Sequence, residues 1–274
     1  MKRVASAVVF LPFFYVVVRW LGTAYFVLVA GAALLALLEL YRLAEVRGHR
    51  CFRLAGSLVM LLLLASFALP GVPIHIPLLI GLLAIPLDAL RRGGDFDVAF
   101  SDIGATFFGA VFVGVLFGYM LALRVVQGLQ KGEETGSALV FLLIFVVWSS
   151  DMAAYYVGTS LGRRPLAPRV SPKKTIEGAI GGILGGLAAA FVARAWFMER
   201  LRLVDCLVLG IALGVLGIVG DLIESMLKRG AGVKDSASLV PGHGGILDRV
   251  DSLLYAAPVL YYYYLFAMRG LNGG

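Results

Sequence analysis

Polar residues interrupt this chain only at intervals. Apolar runs fill 4–18, 21–40, 54–69, 73–88, 103–123, 137–159, 177–198, 204–223 and 251–268, separated by short stretches of charge, glycine and proline. In hydrocarbon every backbone N–H and C=O must find a partner within the protein, which a helix provides along its own length. A membrane barrel would instead show alternating segments of about ten residues. The pattern therefore predicts an all-α, polytopic integral membrane protein with about nine transmembrane helices. Several runs are short against the roughly 20 residues that span a bilayer. Pro12, Pro73, Pro77 and Pro86 can bound or kink the first and fourth. The opening MKRVASAVVFLPFFYVVV has the charged start and apolar run of a signal peptide. It shows no evident small-residue cleavage site, so it reads as the first span.

Composition agrees with the pattern. The 274 residues are 60% hydrophobic and 15% charged, and the mean hydropathy is +0.92. These values exclude an ordinary soluble domain. The net charge of +7 fits membrane topology, anionic lipid or an anionic substrate, and no nucleic-acid partner is expected. Cys51 and Cys206 lie far apart in no metal-binding spacing, and no disulfide is read from them.

Most of the 24 Lys and Arg residues fall on the side of the N-terminus, in the segments 2–3, 42–53, 91–92, 163–174 and 228–249. Only Arg19, Arg124, Lys131, Arg200, Arg202 and Arg269 fall on the other side, and Arg194 lies inside a span. The asymmetry predicts a cytoplasmic N-terminus and an external C-terminus. The chain divides into 1–136, a scaffold of membrane helices with little chemistry, and 137–274, membrane helices with cytoplasmic loops 160–177 and 224–251 that hold the candidate chemistry. In the first part Glu39 and Asp88 read as solvated or snorkelling acids near span ends. His49 and His75 read as structural, and the loop 91–102 receives no role. Gly181, Gly182, Gly185 and Gly186 read as a close-packing face rather than a phosphate loop. Tyr261 to Tyr264 read as an interfacial aromatic belt.

The chemistry is concentrated in Ser225 to Asp251, SMLKRGAGVKDSASLVPGHGGILDRVD. Asp221 and Glu224 share one face at the end of the eighth run, and Ser225 and Lys228 extend it. Asp248 and Asp251 share a face at the start of the ninth. Asp221, Asp248 and Asp251 can thus meet as oxygen ligands for a hard cation, most simply Mg2+. The alternative is that Asp248 and Asp251 are ordinary helix N-terminal acids, with Asp221 paired to Lys228 or Arg249. Lys228, Arg229, Lys234 and Arg249 supply charge for phosphates. Gly244 and Gly245 lead into a helix N-terminus whose N–H groups can face an anion, and His243 can donate to a phosphate oxygen. A second element holds Asp151 in the sixth run, then Lys173 and Lys174 in the loop beyond it. An acid at that depth needs a cation or a polar cavity.

The spacing S-x-L-K-R-x4-K-D at Ser225, Leu227, Lys228, Arg229, Lys234 and Asp235, followed by P-G-H-G-G-x-L-D-R-x-D from Pro241 to Asp251, resembles the signature of the phosphatidate cytidylyltransferase family. W-x-x-D-x-x-A-Y from Trp148 and S-P-K-K-T-x-E-G from Ser171 to Gly178 are also similar to it. Ser236-Ala237-Ser238 departs from the aromatic, glycine and asparagine common there. The resemblance implies transfer of a cytidylyl group from CTP to phosphatidate, giving CDP-diacylglycerol and pyrophosphate at a bacterial-type cell membrane. It implies a homodimer and a divalent-metal site, with a monovalent ion such as K+ beside it. Asp221, Asp248, Asp251 and Lys228 are then catalytic, the three acids holding Mg2+. Ser225, Arg229, Lys234, Asp235, His243, Gly244, Gly245, Arg249, Asp151, Lys173 and Lys174 contact substrate. A cytidylyltransferase for another lipid phosphate and a transporter of an anionic solute are the other readings. The chain shows neither the internal repeats expected of the transporter nor the D-G-x-x-A-R pattern of CDP-alcohol phosphotransferases.

Overall fold

The computed structural model describes residues 15–20, 22–69, 71–93, 96–126, 135–233 and 245–269. The helices are α1 (Gly22–Val46), α2 (Arg53–Ala68), α3 (His75–Arg92), α4 (Ala99–Val125), α5 (Thr135–Leu161), α6 (Ile176–Trp196), α7 (Leu203–Gly230) and α8 (Leu247–Tyr263). A 3₁₀ turn at Phe96–Val98 leads into α4, and α8 continues into wider π turns over Tyr264–Arg269. Of the first predicted run, residues 15–18 are described and helical; the rest lies outside the described residues.

Among the described residues, five helical segments are long and apolar enough to cross a membrane: Gly22–Val46, Phe96–Val125, Thr135–Leu161, Ile176–Trp196 and Leu203–Gly230. The helices α2, α3 and α8 are shorter or less apolar. Their outward faces are still oily: Leu79, Leu82, Leu83 and Leu87 of α3 are all more than half exposed. Exposed leucines of this density fit lipid contact better than water.

One feature departs from the all-helical expectation. Residues 165–175 form a small antiparallel hairpin, β1 (Pro165–Ala167) against β2 (Ser171–Thr175). The prolines in this loop prevent a helix, and the turn brings the chain straight back to α6. Thr175 caps α6, its Oγ1 accepting from Gly178 N at 3.1 Å. Glu177 Oε2 accepts from Arg163 N at 3.0 Å and Arg164 N at 3.2 Å, which ties the start of α6 to the end of α5.

Small residues let the second half close tightly. A Cβ on Gly185 would lie 2.4 Å from Ala153 Cβ of α5, and one on Gly186 would lie 2.9 Å from Gly210 O of α7. The glycine face of α6 is therefore a packing surface against two neighbours. In the first half, Tyr41 fills the space left by Gly56 and Gly109, and its hydroxyl donates to Thr106 O at 2.9 Å. The turn into α2 is held by α4, with Arg50 N donating to Asp102 Oδ1 at 2.9 Å and Phe52 N to Thr106 Oγ1 at 3.0 Å. Asp102 thus gives the end of segment 91–102 a structural role.

At the start of α7, Arg202 grips the buried Asp205 with two nitrogens, and Tyr263 donates to the same carboxylate at 2.7 Å. Tyr264 is buried as well. The tyrosine run is thus only partly an interfacial belt, because Tyr263 ties α8 to α7 and Tyr264 is buried. Arg194 donates to Leu201 O at 2.7 Å and holds the turn between α6 and α7. Cys51 and Cys206 are both buried free thiols.

Candidate active site

The polar residues of the second half meet at the opposite end of α7. This helix runs on through Asp221, Glu224, Ser225, Lys228 and Arg229 to Gly230, seven residues past the end of its apolar run. Its last turn closes through backbone bonds, Val233 N donating to Lys228 O and Gly232 N to Arg229 O, both at 3.0 Å. Gly232, at φ +76°, supplies the left-handed residue that this closure requires.

Three carboxylates converge there. Oxygens of Asp221 and Glu224 on α7 and of Asp251 on α8 all lie within 4.8 Å of one another. Glu224 is buried, and its Oε1 has no hydrogen-bond partner among the described residues. A buried, unsatisfied carboxylate oxygen is costly unless a cation or donor reaches it. Hard oxygen donors with one oxygen left open fit a divalent cation such as Mg2+.

Ammonium groups are interleaved with the acids. Lys174, from β2, lies 2.5 Å from Asp221 Oδ2. Lys228 lies 2.5 Å from Glu224 Oε2 and also pairs with Asp248 Oδ1. The other oxygen of Asp248 accepts from Gly245 N at 3.1 Å. Asp248 therefore sits beside the three-acid cluster, held by Lys228, while Glu224 stands inside it. Asp151 of α5 and Ser252 of α8 both come within 4 Å of where a Cβ on Gly217 would stand, and Asp151 shares the field of Asp221 and Lys174. Ser225 Oγ donates to Asp221 Oδ1 at 3.3 Å, and Ser252 N to Asp251 Oδ1 at 2.7 Å.

The remaining sequence-predicted residues are placed as follows. Arg229 reaches the hairpin, donating to Val170 O at 3.3 Å. Lys173 and Arg249 are exposed. Gly245 is buried and its N–H is engaged by Asp248. Lys234, Asp235, His243 and Gly244 lie outside the described residues. Asp221 is paired with Lys174, not with Lys228 or Arg249.

One residue was misread from the sequence. Glu39 of α1 is not solvated; it is fully buried, and its two oxygens accept from Ile246 N at 2.8 Å and Leu247 N at 2.9 Å. Nothing local signals this, because the partners lie more than 200 positions away. The N–H groups at the start of α8 are thus taken by carboxylates. Asp88, by contrast, is a half-buried partner of the exposed Arg92 at 2.9 Å.

A model of the cytidylyltransferase family matches residues 1–267. The chain is 36% identical over 269 residues to a phosphatidate cytidylyltransferase of Bacillus subtilis, covering 94% of each chain. It is 36% identical over 193 residues to one from Synechocystis, covering 63% of this chain and 65% of that one. A third, from Haemophilus influenzae, is 44% identical over 136 residues, 47% of each chain.

Proposed function

The chain belongs to the cytidylyltransferase family, and we propose that it catalyses the reaction for which its full-length relative is named. It transfers the cytidylyl group of CTP to phosphatidate, releasing pyrophosphate and forming CDP-diacylglycerol. The observation that carries the reading is the cluster of Asp221, Glu224 and Asp251 with Lys174 and Lys228 set among them. Acids and cations alternating at the end of a membrane helix suit two phosphate-bearing substrates, one dissolved and one anchored in lipid.

A phosphate oxygen of phosphatidate attacks the α-phosphorus of CTP. The bond from that phosphorus to the bridging oxygen breaks, and the electron pair leaves with pyrophosphate. The attacking phosphate is already ionised, so no side chain need remove a proton. Lys174 and Lys228, now held by carboxylates, exchange those partners for phosphate oxygens, and Arg229 and Arg249 add charge at the rim. Asp221, Glu224 and Asp251 would hold Mg2+, with Asp248 one turn from Asp251 as a further ligand. Bound there, a divalent ion would supply positive charge to offset the phosphates, and K+ would be the second ion. Lys173 and Asp151 are assigned to the lipid-phosphate side; Lys234, Asp235, His243 and Gly244, which lie outside the described residues, keep the substrate contacts that their sequence pattern implies.

We place this end of the protein in the cytoplasm, at the cell membrane. The support is that the basic segments 42–53, 163–174 and 228–249 meet here: Arg47 donates to Gly230 O, and Arg229 to the hairpin. We assign the chemistry to 137–274 and a supporting role to 1–136, and we expect a homodimer. The test is turnover of labelled CTP by purified protein in detergent with dioleoyl phosphatidate, with and without Mg2+. Metal- and lipid-dependent release of pyrophosphate with a CDP-lipid product supports the reading. No product from folded protein given Mg2+ and K+ overturns it, and product formed only with an ether-lipid phosphate reassigns the acceptor.

A further inference from the structure

Between α1 and α8 lies a contact that the chemistry above does not use. Glu39 is fully buried on α1 and reaches across to the backbone of the chain entering α8. The residue just before α8, Ile246, offers no side-chain cap of its own. Gly245 N–H is taken by Asp248, from inside the helix, and the next two N–H groups are taken by Glu39, one on each carboxylate oxygen. A carboxylate matches two adjacent donors in shape and complements the positive end of the helix.

We propose that Glu39 is a positioning residue for the acidic cluster. It fixes the first turn of α8 so that Asp251 stays against Asp221 and Glu224. The proposal rests on the reading of that cluster as a metal site. Three features support it. First, Asp248 and Asp251 lie one and four residues beyond the last N–H that Glu39 holds, so any slide or rotation of this turn moves both. Second, the far side of α8 is also constrained: the Asp251 carbonyl lies directly against Gly220 of α7. The helix is thus pinned from α1 and from α7 on either side of its acids. Third, burying a charge only to cap a helix is an expensive choice when a neutral Ser or Asn cap serves as well. The added return is orientation, because two bonds to consecutive N–H groups set rotation as well as height.

The experiment is a Mn2+ titration of purified protein without substrates, following the free-ion signal by electron paramagnetic resonance. The variants are Glu39→Gln, Glu39→Asp and, as control, Glu45→Gln, whose parent side chain pairs with Arg53 near the end of α1. Glu39→Gln puts an amide N–H against a backbone N–H and loses one of the two bonds. Its Mn2+ midpoint is expected to weaken by about tenfold or more. Glu39→Asp keeps both acceptors and is expected to recover part of the loss, and Glu45→Gln to match the wild type. A purely structural role would lower the amount of folded protein but leave the midpoint of the folded fraction unchanged. An unchanged midpoint in Glu39→Gln overturns the proposal; should that variant not fold, the same result in Glu39→Asp does so. A wild type that binds no Mn2+ overturns instead the metal reading beneath it.

Discussion

A Cβ built on Gly220 would lie 2.5 Å from the carbonyl oxygen of Asp251 and 3.0 Å from the Tyr255 ring. The helices that carry the acids therefore touch backbone to backbone, one residue before Asp221. The Gly220→Ala change should force α7 and α8 apart. We expect a loss of about 1–3 kcal/mol in stability together with a steep fall in turnover. Gly230→Ala is the control, since a Cβ there meets nothing within 4 Å. Thermal unfolding and CTP turnover of both variants in detergent check this. Equal behaviour of the two would show that the close approach is not needed.

The three-acid cluster makes a prediction that separates Glu224 from ordinary helix acids. Asp221→Asn, Glu224→Gln and Asp251→Asn should each insert and purify, yet need far more Mg2+ for half-maximal turnover. The shift should exceed the roughly 10–100-fold typical of losing a residue that merely supports a ligand. Mg2+ titrations of initial rate are the measurement. A Glu224→Gln enzyme with wild-type Mg2+ dependence would remove Glu224 from the ligand set and favour Asp248 in its place.

The two lysines should behave differently. The Lys228 side chain is 13% exposed between Glu224 and Asp248. Replacing it with Met strands two partly buried carboxylates, which should cost about 3–5 kcal/mol. Lys174 and Asp221 have side chains 25% and 38% exposed, so Lys174→Met should cost only about 0–1 kcal/mol. Both changes should lower turnover sharply, because both lysines are assigned to substrate phosphates. Unfolding midpoints set beside rates decide the matter; a Lys174→Met protein with normal rates would leave that residue as a surface ion pair only.

The sequence made the helices legible and several of their ends illegible. The runs at 103–123, 137–159 and 177–198 carry dense apolar residues and match α4, α5 and α6 within a few positions. The end of α7 does not follow hydropathy: the apolar run stops at 223 and 224–251 reads as a cytoplasmic loop, although Asp221, Glu224, Ser225 and Lys228 share one helix face. The helix continues through them since its charges are neutralised by Lys174 and Asp248 from other elements. The i, i+3 spacing of Asp221 and Glu224 was readable, and so was the approach of the two helix ends. Which acids cluster was not, because Lys228 draws Asp248 aside. Glu39 was misread for the same reason at greater range: its partners are backbone N–H groups 207 and 208 positions away. The hairpin at 165–175 leaves no period-2 pattern to detect, only prolines and lysines.

The two native thiols allow the orientation of the protein to be tested directly. Cys51 lies between α1 and α2, and burial, reinforced by the nearby Glu45 charge, pushes its thiol up to about 11. At pH 8 roughly one molecule in a thousand would carry the reactive thiolate. Cys206 is fully buried in α7. Neither should react with a membrane-impermeant maleimide while the protein is folded, and both should react after denaturation. Against that silent background, Arg169→Cys in the exposed hairpin turn should label only from the cytoplasmic face. Glu199→Cys, exposed in the turn between α6 and α7, should label only from outside. The two positions flank one long apolar helix, so labels from opposite faces would establish that α6 crosses the membrane and that the acidic cluster faces the nucleotide supply. The reverse pattern would put the site on the outer surface, away from CTP. Fast labelling of the unmodified protein would show that the turn at Cys51 opens in the membrane.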